Sequence, residues 1–126
     1  MAKVQFIQFK LIKGYASRAA KERVSVKDTP STVWFGVFDN ELVGFGGVII
    51  KGSKARVKSI YVLPEHRGKG YGSLLTKRMI SAAQNLPHIT ILEAYAVNPK
   101  YYEALGWISL QTAKGITVVQ KKLLGA

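Results

Sequence analysis

Apolar and polar positions alternate from Val4 to Phe9, with Val4, Phe6 and Gln8 set against Gln5, Ile7 and Phe9, and this predicts a first strand. A weak stripe at Tyr15, Ala19 and Ala20 predicts one helix within Leu11 to Val24, followed by a loop over Lys27 to Ser31 that holds Asp28, Thr29 and Pro30. Thr32 to Phe38 is rich in β-formers, Asp39-Asn40 is a tight-turn pair, and Glu41 to Lys51 completes a hairpin. The cluster of Gly44, Gly46 and Gly47 predicts a bulge or a close backbone approach. Gly52-Ser53 makes a second turn, into a strand that ends at Val62. These strands follow one another antiparallel, hairpin by hairpin. From Tyr71 to about Asn85 the period changes. Tyr71, Leu74, Leu75, Met79 and Ala82 recur at steps of three and four, which is one buried helix face, with Ser73, Thr76, Lys77, Ser81 and Gln84 largely on the other. Asn85 and Pro87 end that helix. Ile89 to Ala94 is a further strand, and Asn98-Pro99 opens a short helix that runs to Leu105 and is capped by Gly106. Trp107 to Gln111 and Ile116 to Lys121 form a last hairpin around Lys114-Gly115. Strands and helices interleave along the whole chain, so the fold class is α/β (α+β).

No linker, repeat or low-complexity segment interrupts this pattern, and 126 residues make a single domain over 1–126. The absence of cysteine excludes disulfides, thiolate metal sites and a cysteine nucleophile. Met1-Ala2-Lys3 does not read as a signal peptide, and the longest nearly apolar run, Leu42 to Ile50, is far short of a membrane span. A cytoplasmic protein with no membrane partner is expected. Nineteen Lys and Arg against seven Asp and Glu give a formal charge of +12, which favours polyanionic partners without choosing among nucleic acid, a phosphorylated cofactor and an acidic protein. No aromatic RNA-binding signature, zinc-finger spacing or basic region joined to heptads accompanies the charge. His66 and His88 have no metal-like spacing with another ligand, and no metal is expected.

The chemistry concentrates in Val62 to Gly72, Val-Leu-Pro-Glu-His-Arg-Gly-Lys-Gly-Tyr-Gly, which joins a strand to the start of the long helix. A glycine-rich turn at a helix N-terminus is an anion site, because unpaired amides of the first turn point outward and the helix dipole adds partial positive charge. Gly68, Gly70 and Gly72 remove the Cβ atoms that would hold a phosphate off the backbone, while Arg67 and Lys69 add full positive charge. A pyrophosphate is the guest this suits. The order Gly-x-Gly-x-Gly after Arg67 is neither the dinucleotide fingerprint Gly-x-Gly-x-x-Gly nor a Walker loop ending in Gly-Lys-Ser/Thr.

The stretch resembles the signature of the GCN5-related N-acetyltransferases, Arg/Gln-x-x-Gly-x-Gly/Ala, at Arg67, Gly70 and Gly72. Their commoner extended form, Val-x-Pro-x-x-Arg-Gly-x-Gly-x-Gly, is matched at Val62, Pro64, Arg67, Gly68, Gly70 and Gly72. Tyr102-Glu103-Ala104-Leu105-Gly106-Trp107 is similar to that family's Tyr-Glu-x-Leu-Gly-Phe, and Asn98 matches the asparagine that often opens the helix before it. The resemblance covers Leu42 to Leu123 and implies the family fold, a mixed and mostly antiparallel sheet of about six to seven strands flanked by about three helices. It implies acetyl-CoA as cofactor, held at Arg67, Gly68, Lys69, Gly70, Tyr71, Gly72 and Asn98, with its pantetheine arm along the splayed strand end at Ile60, Tyr61 and Val62. It implies direct acetyl transfer to a primary amine in a ternary complex, with Tyr102 as general acid toward the leaving thiolate. Glu93 is the leading candidate for a general base or water relay; Glu41 and Glu65 are poorer choices. His66 fills a place the family often gives to a packed aromatic.

Two departures accompany the match. The step from Asn98 to Tyr102 is four residues where the family commonly has seven, which is close to one helical turn less. Only Leu11 to Ser31 separates the first two strands, enough for one helix where the family has two. An open acceptor face is expected, or one completed by a second subunit as a homodimer. The expected acceptor is an amine in an acidic context, a peptide, a protein or an aminoacyl-tRNA. The alternatives are a domain that binds coenzyme A without transfer, and a basic module for nucleic acid or ribonucleoprotein on this fold. Arg56 and Lys58, on the fourth strand, suit either substrate or solvent.

Overall fold

A computed structural model describes residues 4–123 apart from Ile12, Arg23 and Ser25. In chain order the elements are β1 (Gln5–Gln8), α1 (Lys13–Lys21), β2 (Thr32–Asp39), β3 (Glu41–Lys51), β4 (Lys54–Val62), α2 (Tyr71–Gln84), β5 (Ile91–Ala96), α3 (Lys100–Ala104), β6 (Ile108–Ala113) and β7 (Ile116–Lys122), with a single 3-10 turn at Pro64–His66. They form one seven-stranded sheet in the order β1-β2-β3-β4-β5-β7-β6. Every neighbouring pair is antiparallel except β4 with β5, which is parallel because α2 carries the chain across between them. The mixed, mostly antiparallel sheet with three helices expected from the sequence is the architecture found. No helix among the described residues is long and apolar enough to cross a membrane.

The central irregularity is in β4. Its ladder with β3 runs Lys54 to Lys58 against Lys51 to Gly47, then resumes at Tyr61 opposite Phe45, so β4 carries one more residue than β3 across this step. Ser59 takes the left-handed conformation there, with φ of 56°. A bulge of this kind sharpens the local twist and re-aims the residues beyond it. Before it, Ala55 and Val57 face the core under α2; after it, Tyr61 and Leu63 face the opposite core. Pairing with β5 extends from Lys54↔Ile91 only to Val57↔Ala94, so the two strands part just as the bulge begins.

Two apolar cores flank the sheet. One lies under α2, where Leu75, Met79 and Ala83 meet Val37, Val43, Val57, Leu92 and Ala94. The other gathers Ala19 of α1 with Trp34, Phe45, Tyr61 and Leu63. Two sequence assignments on the helices shift. The buried line of α2 ends at Ala83 instead of Ala82, and Thr76 is buried. The steps of four from Leu75 place Ala83 on the centre of the arc, and the Thr76 hydroxyl donates to the Gly72 carbonyl at 2.8 Å, which satisfies it inside. On α1, Ala19 is buried while Ala20 is exposed; the helix expected within Leu11 to Val24 spans Lys13–Lys21, and Ile12 and Arg23 in that range lie outside the described residues.

The glycines of β3 make close approach possible. A Cβ on Gly44 would stand 3.0 Å from the Tyr61 carbonyl oxygen, and one on Gly46 would overlap the thioether of the fully buried Met79. The bulge expected near these glycines falls opposite them, on β4, and β3 has its own irregularity opposite Val37/Phe38. Gly46 and Met79 are therefore one packing unit. Gly46→Ala should destabilise by about 1–3 kcal/mol through overpacking, and Met79→Ala by about 2–5 kcal/mol through a cavity. The double variant should lose less than the sum, as chemical denaturation will show; strict additivity would mean that the two sites do not compete for the same space.

Candidate active site

Beyond Val62 the chain turns through Pro64–His66 into the glycine loop. Gly68 and Gly70 have φ of 80° and 83°, a region that side chains with a Cβ rarely adopt, and Gly70 is the residue from which α2 starts. The Leu74 amide donates to the Gly70 carbonyl at 3.1 Å, which leaves the amides of Tyr71, Gly72 and Ser73 as the unpaired first-turn donors every helix has. A Cβ at Gly68 or Gly70 would meet nothing within 4 Å, and one at Gly72 would meet only Val62 Cγ2 at 3.6 Å. The fold itself has room for a methyl group at Gly72, so packing does not require a glycine there. The three glycines and the exposed Lys69 thus form an open, positively biased cradle that fits a diphosphate. Tyr71 begins the helix beside it, but its hydroxyl donates to Asp39 Oδ2 at 2.6 Å, so the side chain anchors the loop to the end of β2. His66 packs edge-on to Tyr71, as its place in the sequence implied, and bonds Glu41 at 2.7 Å.

A charged network behind the cradle was not legible in the sequence. Arg67 Nε donates to the Val62 carbonyl at 2.9 Å, its Nη1 stands 2.9 Å from Glu22 Oε1, and its guanidinium lies over the Tyr61 ring. The Tyr61 hydroxyl donates to the same Glu22 carboxylate. Arg18, one turn earlier on α1, pairs with Glu65 at 2.7 Å. Arg67 first, and the Tyr61 hydroxyl second, hold the Glu22 carboxyl below the usual carboxylate range. Burial, then the bond to Glu22, push the Tyr61 hydroxyl up. The only sequence signal was opposite charge at Arg18 and Glu22, four apart near the end of a helix, mirrored by Glu65 and Arg67 two apart in the loop.

Where β4 and β5 part, a cavity of about 580 Å³ opens, lined by Lys27, Arg56, Lys58, Ser59, Ile60, Tyr95, Val97, Tyr102 and Ile116 among others. The Leu63 amide donates to Val43 on β3 and the Val62 carbonyl accepts from Arg67 on the other side, so alternation turns the Val62 N–H toward the gap left by β5. Ile60 shares that orientation and also lines the cavity, while the Tyr61 side chain is buried in the opposite core. Across the gap, Tyr102 of the five-residue α3 reaches the cavity, supported by Trp107 at 4.9 Å and Tyr101 at 5.3 Å between ring centres. Burial first, then Tyr101, raise the Tyr102 hydroxyl above its ordinary value. Glu93 is 4% exposed on β5 and accepts from Gln120 Nε2 at 2.7 Å and Lys54 Nζ at 3.3 Å. It lines a smaller neighbouring cavity with Arg56 and Tyr95, and is not among the residues lining the larger one. Glu41 and Glu65 are engaged by His66 and Arg18. Asn98 is exposed in the bend before α3, whose N-cap is Pro99 without a side-chain cap bond.

The glycine cradle thus follows directly on the parted strand edge, whose Ile60 shares a cavity with Tyr102, whereas Glu93 lies outside that cavity and Asn98 is exposed before α3. Residues 5–107 match the model of the acetyltransferase (GNAT) family. The chain belongs to that family. Solved GNAT structures share its fold. The PaiA N-acetyltransferase of Thermoplasma acidophilum, crystallised with coenzyme A, is 23% identical with a TM-score of 0.60, over 74% of this chain and 62% of that one. The spermidine/spermine N-acetyltransferase SpeG of Vibrio cholerae is 17% identical with a TM-score of 0.69, over 95% of each chain. The N-acetylglutamate synthase of Neisseria gonorrhoeae, crystallised with coenzyme A and N-acetyl-glutamate, is 14% identical with a TM-score of 0.69; it aligns with 98% of this GNAT chain but only 36% of its own. Against curated proteins the chain has no significant match.

Proposed function

We propose that this chain is an acetyl-CoA-dependent N-acetyltransferase acting on a primary amine. One observation carries the reading: the open glycine cradle at the head of α2 continues into a parted strand edge that ends across a cavity from Tyr102. Coenzyme A accompanies the Thermoplasma and Neisseria relatives, which supports the same guest here. Its diphosphate fits the amides of Tyr71, Gly72 and Ser73 with Lys69 beside them, and an extended amide-bearing arm fits the polar edge at Ile60 and Val62. When bound, acetyl-CoA would supply the thioester whose carbonyl carbon takes the acceptor nitrogen as the C–S bond breaks, the nitrogen giving its proton to solvent while the thiolate takes one from Tyr102.

The chain's own contribution is to orient, polarise and protonate. The Val62 N–H is the donor placed to polarise a carbonyl in the gap, and a preorganised donor there does not have to reorganise during the reaction. Tyr102 keeps its proton because burial disfavours the phenolate, so it is a neutral donor for a departing thiolate. No acyl-enzyme on cysteine is available, so the acceptor attacks directly. Glu93, held by Lys54 and Gln120, sits a step away from the cavity, and we assign it an indirect part at most, through water or through Arg56 and Tyr95. The acceptor we favour is presented in an acidic context, on a peptide, a protein or an aminoacyl-tRNA. The charge of +12 and the single helix among the described residues between β1 and β2, which leaves the acceptor side open unless a second copy covers it, support that choice.

Acetyl-CoA at about a hundred times its dissociation constant should stabilise the fold by roughly 2.7 kcal/mol, read as a rise in melting temperature. Gly70→Asp should abolish that rise, because it puts a side chain and a negative charge into the cradle; no rise in the unaltered protein would overturn the cofactor assignment. Tyr102→Phe should keep the cofactor-induced shift and lower kcat by something like 10²-fold. In the unaltered enzyme kcat should not fall through Tyr102 ionisation below about pH 10, since the raised value keeps the phenol protonated at least that far. A Phe variant with full kcat would make Tyr102 a packing residue. The KM for an acidic macromolecular acceptor should climb between about 50 and 200 mM salt, more steeply than the affinity for coenzyme A; a flat response would count against such an acceptor.

A further inference from the structure

The wall of the cavity on the α1 side has a one-sided charge. Arg56 and Lys58 are two apart on β4, on the face opposite Ala55 and Val57, and so stand about 6.6 Å apart along the strand. Lys27, from the segment after α1, adds a third cation. Among the described residues that line the cavity there is no Asp or Glu. These are held groups. Arg56 Nη1 donates to the Tyr95 hydroxyl at 2.7 Å with its guanidinium 4.5 Å from that ring centre. Lys58 Nζ donates to the Lys27 carbonyl at 2.9 Å and lies 5.6 Å from the Trp34 ring. Each bond uses one donor, of five on the guanidinium and three on the ammonium. Asp28, on the same segment, is occupied by the Trp34 indole N–H at 2.8 Å and lines a different cavity.

An amine acceptor enters water-borne as an ammonium ion, and a cavity with three cations and no carboxylate repels it. The same field favours the neutral amine once it is inside, which is the form that attacks. The two effects combine productively only if the acceptor brings its own negative charge. Burial first, and Arg56 second, press Lys58 toward losing its proton, with Asp28 acting the other way, so an anion between Arg56 and Lys58 would relieve the repulsion between them.

Resting on the acetyl-transfer reading, we infer that Arg56 and Lys58 form an anion subsite, and that the acceptor carries a carboxylate or phosphate a few bonds from its reacting amine. Arg56 offers a planar fork and Lys58 a point charge, a pair that serves either anion. Polyamines are poor acceptors on this basis.

The test uses matched amines in a coenzyme A release assay: β-alanine for the carboxylate, O-phosphoethanolamine for the phosphate, ethanolamine as the uncharged counterpart, and spermidine as the polycation. At least one anionic amine should exceed ethanolamine in kcat/KM by 10-fold or more, and which of the two leads identifies the anion. Arg56→Met or Lys58→Met should erase the preference, whereas Lys77→Met, on the exposed face of α2, should leave it intact. Equal kcat/KM for ethanolamine and both anionic amines, superior turnover of spermidine, or a preference that survives Arg56→Met and Lys58→Met would overturn the inference. Calorimetric binding of β-alanine and O-phosphoethanolamine, with and without coenzyme A, separates the subsite from catalysis. Binding that is lost in the Met variants upholds the subsite even if no amine is acetylated, in which case the transferase reading fails instead. Absence of binding and of preferential turnover for both probes defeats the subsite alone.

Discussion

Parallel pairing between β4 and β5 lasts from Lys54↔Ile91 to Val57↔Ala94 and then stops, and everything this molecule offers a ligand depends on that stop. Backbone N–H and C=O groups in a sheet are obligatory hydrogen-bonding groups, so a gap between neighbouring strands costs free energy unless another chain or solvent fills it. The bulge at Ser59 opens the gap. It adds a residue to β4, turns Tyr61 and Leu63 into the core beside α1, and leaves the Val62 N–H facing the space that β5 vacates. An extended guest with amide groups can complete the ladder there.

The helix after the glycine loop is tied to the same event. Because β4 and β5 are parallel, the chain must cross over the sheet, and α2 makes that crossing with its N-terminus at the open end of the gap. The glycine cradle and the parted strands are thus neighbours by topology. Gly46 lets Met79 seat against β3, which sets how closely α2 lies on the sheet and so where its first turn presents its amides.

The network between α1 and the loop ties the glycine loop to the α1 side of the sheet. Arg67 divides its guanidinium between the Val62 carbonyl and Glu22, while Tyr61 bonds the same carboxylate from the core. These ion pairs are exposed and individually weak. Their interest is positional: the arginine of the glycine-loop motif is also the contact that holds the segment just after α1.

Features that rest on local chemistry were legible in the chain alone. Alternation, the 3.6 period from Leu75 to Met79, the turn pairs at Asp39-Asn40 and Lys114-Gly115, and the run Arg67-Gly68-Lys69-Gly70-Tyr71-Gly72 each act over a few neighbours, so strands, helices, cradle and family are all readable from the order of residues. Tyr102 stood out in the sequence through its local motif, and the folded chain puts it on the lining of the cavity. Features that rest on which segments meet came only with the folded chain. Counting alternation on from Val57 puts Tyr61 beneath α2, and only the bulge at Ser59, set by the β3 partner, moves it to the other core. Glu93 read as a catalytic carboxylate at the end of a strand, yet its environment is made by Lys54, 39 residues earlier, and Gln120, 27 residues later. Tyr71 sits inside the motif, but its hydroxyl belongs to Asp39. The cationic wall of Arg56, Lys58 and Lys27 exists only because β4 and the segment after α1 are folded onto one cavity. Charge and burial are properties of neighbours in space, and these neighbours are far apart along the chain.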